Sequence, residues 1–214
     1  MDEDFSIISS NTRQEKIKNF FIHNKIKLIS LMLIIILILI CYFGYGEFKK
    51  KQQIATSNHF NSILIEFDDN NKDIVTNKLL ELVYKKDPTY SPLSLYFIID
   101  NKLIDDNEKI NSLFDVLIDE TALDKEIKNL VIFKKALFNA DYYDEGKMLK
   151  ILNPIFNSDS IWKSHALHLM AEYFYFRGEN QKAKEFFNKV VNLEDVNPDI
   201  KGQAQKRLSR DLSE

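Results

Sequence analysis

The sequence predicts an all-α protein in which one transmembrane helix precedes a domain of short, antiparallel helices. Two observations support this fold class. Nineteen consecutive residues, from Leu28 to Gly46, carry no charge and are mostly isoleucine or leucine. The 214-residue chain has only five glycines, and beyond the apolar run its apolar residues recur at spacings of three and four. That periodicity is typical of amphipathic helices.

The apolar run has the length of a membrane span, since a helix rises 1.5 Å per residue and the run would cover roughly 28 Å. It lacks the polar face of a soluble core helix. A cleaved signal peptide has a shorter apolar core, and Gly44-Tyr45-Gly46 is a weak cleavage site. Ile40 precedes Cys41 where a lipoprotein needs a small residue. We therefore expect an uncleaved signal anchor in contact with the lipid bilayer.

Basic residues on the two sides of the run predict its orientation. Five lie in residues 1–27, whereas the other flank carries three lysines at 49–51 and then a long domain. Short basic flanks stay in the cytoplasm, and long domains cross largely regardless of charge. We expect a cytoplasmic tail over 1–27, a transmembrane helix over 28–46 and a translocated domain over 47–214. Residues 12–21 of the tail fit either an interfacial helix or a frayed segment.

Composition and motifs exclude several functions. The net charge is −3, so the chain has no electrostatic footprint for nucleic acid. A single cysteine excludes an intrachain disulfide. The sequence contains no P-loop, no glycine-rich dinucleotide fingerprint and no nucleophile elbow. We therefore expect a protein without enzymatic activity and without a cofactor.

Helix-breaking residues divide the domain after residue 46 into nine predicted helices joined by short turns. Thr121 and Asp124 resemble a capping box that opens the fifth helix. Asn153-Pro154 is expected to close the sixth, and Gly178 separates the seventh from the eighth. Asn197-Pro198 combines an N-cap with a first-turn proline and so begins the last helix. Short turns of this kind pair helices antiparallel.

The segment Trp162–Leu193 resembles a tetratricopeptide repeat. In that family small residues let the two helices of a repeat approach closely, and a glycine commonly ends the first helix. Ala171, Ala183 and Gly178 match those positions. The proline that usually closes the repeat is replaced by Asp195.

The preceding helix pair, over residues 130–156, is a weaker match to the repeat. The helix pairs before it keep only the helical periodicity of apolar residues. The resemblance implies a tetratricopeptide-like α-solenoid of about four helix pairs with a capping helix over residues 47–214.

The whole layout resembles the ancillary SecYEG translocon subunit family. Leu152–Trp162 is similar to its linker between repeats, and Ala166–Val191, Asn197–Ala204 and Lys206–Leu208 are similar to its last repeat and closing helix. The resemblance implies a single-pass protein of the bacterial inner membrane with a periplasmic domain. Implied partners are Sec translocon subunits, a membrane-anchored periplasmic prolyl isomerase, and exported or unfolded polypeptides passed on to periplasmic chaperones. The alternative function is a structural organiser of an envelope or cell-division complex.

The repeat register also implies a peptide-binding groove. It assigns five residues of the seventh helix to the concave face of the solenoid: His165, His168, Glu172, Tyr175 and Phe176. Aromatic and polar side chains together suit an extended peptide. Two alternatives compete with this interpretation. In the first, the capping helix, about 198–212, covers this face of the seventh helix. In the second, His165, His168 and Glu172 bind a metal ion, and the simpler reading of those three residues is a solvated polar face.

Overall fold

The computed structural model describes the backbone of residues 2–213 and the side chains of residues 18–213. Within this range the chain forms helices and no β-strand, which confirms the predicted all-α class. A 3₁₀ turn (Asp69–Asn71) and a π-helical segment (Val116–Glu120) accompany the α-helices. These are α1 (Asp2–Glu66), α2 (Lys72–Tyr84), α3 (Tyr90–Asp100), α4 (Asn107–Asp115), α5 (Lys125–Asn139), α6 (Glu145–Phe156), α7 (Lys163–Phe176), α8 (Asn180–Val191) and α9 (Pro198–Arg210).

The chain divides into two compact units, Met1–Thr56 and Ser57–Glu214. Within α1, the stretch Lys18–Glu66 is long and apolar enough, by length and composition, to cross a membrane. None of its most apolar window is buried, which is unlike the core helix of a soluble protein. α1 runs without a break through the predicted boundaries at residues 27 and 46. The predicted interfacial segment 12–21 lies within α1, and the side chains of its first six residues lie outside the described part of the chain.

In the second unit each helix from α2 to α9 packs against the next one along the chain. α5 also contacts α7, and α7 contacts α9. The buried apolar residues form two clusters. The first runs from Phe60 to Val131 and the second from Ile132 to Leu212, so the two meet on α5.

Two predicted helix boundaries are confirmed by their capping bonds. The Asn197 side chain accepts hydrogen bonds from the backbone N–H groups of Asp199 (2.9 Å) and Ile200 (3.3 Å), with Pro198 in the first turn of α9. Gly178 follows α7 at φ +75°, a conformation that L side chains rarely adopt. These ends could be predicted because capping depends on local chemistry.

Two other predicted boundaries are wrong. α5 begins at Lys125 with Asp124 as its N-cap, and the buried Thr121 hydroxyl instead donates to the carbonyl of Val116 (3.1 Å). The Thr121 hydroxyl is therefore bonded to the π-helical segment Val116–Glu120 and does not cap α5. Pro154 lies inside α6, which continues to Phe156. A proline removes only one backbone donor, and in this last turn the loss does not end the helix.

Candidate functional site

α5 and α7 lie side by side and run in the same direction, because polar contacts join them at both ends. At their N-terminal ends, the Glu126 carboxylate accepts hydrogen bonds from the Ser160 hydroxyl (2.7 Å) and the Ile161 N–H (3.2 Å). At their C-terminal ends, the Arg177 guanidinium donates to the carbonyl of Tyr143 (3.2 Å). The surface between the two helices is therefore held along its whole length.

A cleft of about 590 Å³ opens between α5, α7 and α9. α5 contributes Phe133 and Leu137 to its wall, and α9 contributes Ile200. Leu137 is half exposed, which is unusual for a leucine that continues the apolar face of a helix. The cleft is thus an apolar depression with polar groups at its edges, the general character of a ligand site.

Four of the five residues predicted for the groove line this cleft: His165, His168, Glu172 and Phe176. Phe176 is 77% exposed. Tyr175 points elsewhere, since the Arg207 guanidinium of α9 covers its ring at 4.5 Å and the ring is partly buried in the core. The capping helix therefore covers Tyr175, contacts Glu172 through Arg207 and leaves Phe176 largely exposed.

Glu172 binds the last helix, α9, and its carboxylate is therefore occupied within the protein. Its two carboxylate oxygens accept a bidentate pair of hydrogen bonds from Arg207 at 2.8 and 2.9 Å. Arg207 also donates to Asp211 at 2.9 Å. Hydrogen bonds from Arg210 and Arg207 lower the pKa of Asp211 to about 2, and those to Glu172 and Asp211 raise the pKa of Arg207. This bidentate geometry is the strong form of such a pair.

His168 is mostly buried, with 14% of its side chain exposed, and its ring contacts Phe187 at 5.6 Å. Its Nε2 atom lies 3.8 Å from Glu172 and makes no hydrogen bond within the described part of the chain. Burial lowers the pKa of His168 below its usual range, and the nearby Glu172 carboxylate offsets this only in part. At neutral pH the imidazole is therefore uncharged, and the contact with Glu172 is not an ion pair.

No three histidine, cysteine, aspartate or glutamate side chains form a group that could hold a metal ion among residues 18–213. His165, the third residue of the alternative metal site, instead belongs to an aromatic cluster. Its ring lies 5.2 Å from Trp162 and 6.1 Å from Phe133, and those two rings stack at 5.8 Å.

A second cleft, of about 430 Å³, adjoins the first at the N-terminal end of α7. Ile161, Trp162 and the α8–α9 loop residue Asp195 line it, and His165 lines both clefts. We refer to the two clefts together as the α7 groove. It follows α7 from Ile161 to Phe176, and both of these end residues are largely exposed.

The α5 side of this groove was not predicted. Phe133 and Leu137 follow the apolar spacing of a helix, and that periodicity predicts a helix without indicating a groove. The repeat register gives no signal for it either. Aligning the inter-helix turns at Ala140 and Gly178 pairs Leu137 with Tyr175, which lies outside the cleft.

No protein-family model matches this chain. No curated protein and no solved structure matches it either.

Proposed function

We propose that this chain is a non-enzymatic, membrane-tethered scaffold that binds polypeptide segments in the α7 groove. The observation that carries the proposal is the groove itself, which leaves Leu137 and Phe176 exposed beside two helices held at both ends. Solvent-exposed apolar side chains in a concave site are a hallmark of binding surfaces.

The contacts between helix pairs support a tetratricopeptide-like solenoid of about four pairs closed by α9. In a solenoid, equivalent positions of neighbouring repeats touch, so contacts recur at one repeat length. Four polar contacts between successive pairs in the second half of the unit join residues 34, 35 or 37 apart: Glu126–Ser160, Tyr143–Arg177, Glu172–Arg207 and Glu145–Lys182. A fifth, from the Tyr173 hydroxyl to the Tyr143 carbonyl, joins residues 30 apart. The separation in the first four is close to that of a 34-residue repeat.

The proposed place of action is the bacterial inner membrane, beside the Sec translocon. The resemblance to the ancillary translocon subunit family and the apolar stretch of α1 support this assignment. The excess of basic residues before residue 28 supports a cytoplasmic N-terminus and a periplasmic domain. Translocon subunits and the membrane-anchored prolyl isomerase would then be its neighbours, and exported polypeptides its ligands.

The proposed mechanism needs weak and reversible binding. The groove is open, so a bound segment gains apolar contact without being enclosed. Rapid release follows from such a surface, because affinity depends mostly on the dissociation rate. A tethered scaffold of this kind raises the local concentration of an emerging chain near its next chaperone.

Site-specific photocrosslinking in native membranes tests this function. A photoreactive residue replaces Phe176 in the groove or Phe48 beside the apolar run. A third replaces Glu185, an exposed residue of α8 that lines neither cleft. We expect Phe176 to capture exported polypeptides and Phe48 to capture a translocon subunit, while Glu185 captures neither.

Equal adducts from Phe176 and Glu185 would contradict the groove. Adducts only between copies of this chain would instead support the organiser of an envelope or division complex. Protease accessibility in intact and opened spheroplasts tests the orientation, because a periplasmic domain is cleaved in intact spheroplasts and a cytoplasmic domain only once the inner membrane is opened. Protection in intact spheroplasts would rule out the proposed localisation.

A further inference from the structure

The two ends of the α7 groove carry the same combination of groups, an exposed apolar side chain beside a carboxylate. Phe176 and Asp141 line the first cleft, and Ile161 and Asp195 line the second. Phe176 is 77% and Ile161 69% exposed. The groove is therefore built as two similar subsites that meet at His165.

The spacing of the subsites follows from the helix between them. α7 has 14 residues, so its ends lie about 21 Å apart at 1.5 Å per residue. An extended chain advances about 3.3 Å per residue, so about six residues cover that distance. Two apolar side chains of one extended segment reach both subsites when about five residues separate them.

The junction of the two clefts suits an extended main chain better than a helix. An extended segment has amide groups that need hydrogen-bonding partners, whereas a helix satisfies its own. His165 places an imidazole at the junction of the two clefts, and its ring lines both. It offers a bound main chain a polar contact between the two apolar subsites.

The charges at the two ends of the groove determine which residues can flank the apolar side chains of the bound segment. Asp141 and Asp195 are exposed, and neither pairs with a basic side chain among residues 18–213. The third carboxylate, Glu172, is neutralised by Arg207. The basic lining residue Arg177 packs on the Tyr173 ring at 4.2 Å and donates to backbone carbonyls. Each end therefore presents a carboxylate that makes no ion pair, which attracts a basic residue and repels an acidic one. The Arg177 charge opposes this attraction at the Phe176 end, so the Ile161 end is the more selective of the two.

From this arrangement, and resting on the proposed function, we infer the ligand class of the groove. It takes an extended polypeptide segment with two aliphatic or aromatic side chains about six residues apart and with lysine or arginine next to them. Segments with acidic residues in those flanking positions are rejected.

Fluorescence anisotropy with labelled peptides tests this ligand class, using the full chain in lipid nanodiscs. The reference peptide has two phenylalanines separated by about five serine or asparagine residues, with lysines outside them. A second peptide brings the phenylalanines next to each other, and a third replaces the lysines with glutamates. We expect the second to bind about tenfold more weakly, since it reaches one subsite only.

The glutamate peptide should bind about three- to tenfold more weakly than the reference at low salt, and added salt should narrow this difference. The double variant Asp141→Asn/Asp195→Asn should lose the preference for lysine and keep the preference for spacing. Asp105→Asn, an exposed aspartate in the α3–α4 loop, is the matched control and should keep both.

Equal binding of all three peptides, or no binding of any, would overturn the inference. A lysine preference that survives in the double variant would overturn the role of the two aspartates. These outcomes are distinct from failure of the proposed function, because photocrosslinks from Phe176 to exported polypeptides do not depend on which peptide binds best.

Discussion

The two halves of the helical unit differ in how their helices end. In the C-terminal half, residues 125–213, α7 ends in a Schellman motif. The Glu179 N–H donates to Phe174 (2.9 Å) and the Gly178 N–H to Tyr175 (3.0 Å). In the N-terminal half, residues 57–124, lysines occupy the equivalent left-handed positions, Lys86 at φ 55° after α2 and Lys102 at φ 49° after α3. The C-terminal half has glycine at a left-handed position, whereas the N-terminal half has lysine in the same strained backbone conformation.

The halves also differ in the residues between their helices. Ala171 and Ala183 are fully buried between α7 and α8, which pack more extensively than any other two described helices. The N-terminal cluster instead buries long aliphatic side chains such as Leu79, Leu95 and Leu113. The small residues and the glycine of the α7–α8 segment therefore accompany close helix approach and a glycine-capped end. Helix pairs packed through leucine keep the same order of contacts without any recognisable motif.

The largest predicted effect separates the two clusters. Phe114→Ala and Phe174→Ala each remove a fully buried ring and should each cost about 3–5 kcal/mol of unfolding free energy. Because the clusters meet only around α5, we expect Phe114→Ala to raise hydrogen exchange in α2–α4 and Phe174→Ala to raise it in α7–α9. Exchange measured by mass spectrometry on the full chain checks this, and identical profiles for the two variants would contradict two distinct clusters.

The next effect concerns the closing helix, which the N-terminal half lacks. Arg207→Gln leaves the Glu172 carboxylate, 19% exposed, without its bidentate partner and should cost about 1–2 kcal/mol. Glu172→Gln should cost a similar amount. The double variant should lose about 1 kcal/mol less than the sum, because the two residues act as a pair. Chemical unfolding followed by far-UV ellipticity gives the unfolding free energies of wild type, the two single variants and the double variant. Strictly additive changes in these free energies would mean that the Glu172–Arg207 pair does not hold α9 in place.

A smaller change in stability is expected from variants of the left-handed residues at the helix ends. Gly178→Ala should destabilise the fold by about 1 kcal/mol, since a methyl at this glycine meets no atom within 4 Å and the cost is purely that of its left-handed backbone. Lys102→Gly should do the opposite and stabilise by up to about 1 kcal/mol. Thermal unfolding of the two variants beside wild type checks the signs. A destabilised Lys102→Gly would show that the lysine side chain compensates its own strain.

The smallest effect is the pH dependence contributed by His168. Burial lowers its pKa in the folded state, so the unfolded chain takes up a proton first as the pH falls below about 6.5. Stability is therefore unaffected above that pH and declines below it until the folded state is also protonated. The stability of wild type relative to His168→Gln, measured by urea unfolding across this range, should fall on acidification. A rise would mean that Glu172 outweighs burial.

The sequence by itself determined the features that depend on local chemistry. The apolar run, the helical periodicity, the Asn197 cap and the glycine after α7 each need only neighbouring residues, and the structure contains all four. Four of the five groove residues could also be predicted to share a cleft, because their spacing of three and four places them along one side of α7.

The tertiary structure alone decided which of those residues stay exposed and what faces them. Arg207 lies 35 residues beyond Glu172, so no local pattern shows that α9 neutralises this carboxylate and covers Tyr175. Leu137 and Asp141 join the groove only because α5 lies parallel to α7. The left-handed conformations of Lys86 and Lys102 could not be predicted either, since lysine rarely adopts them and no local pattern indicates them. Contacts between distant residues decide charge, exposure and strain, and those properties decide what the groove can bind.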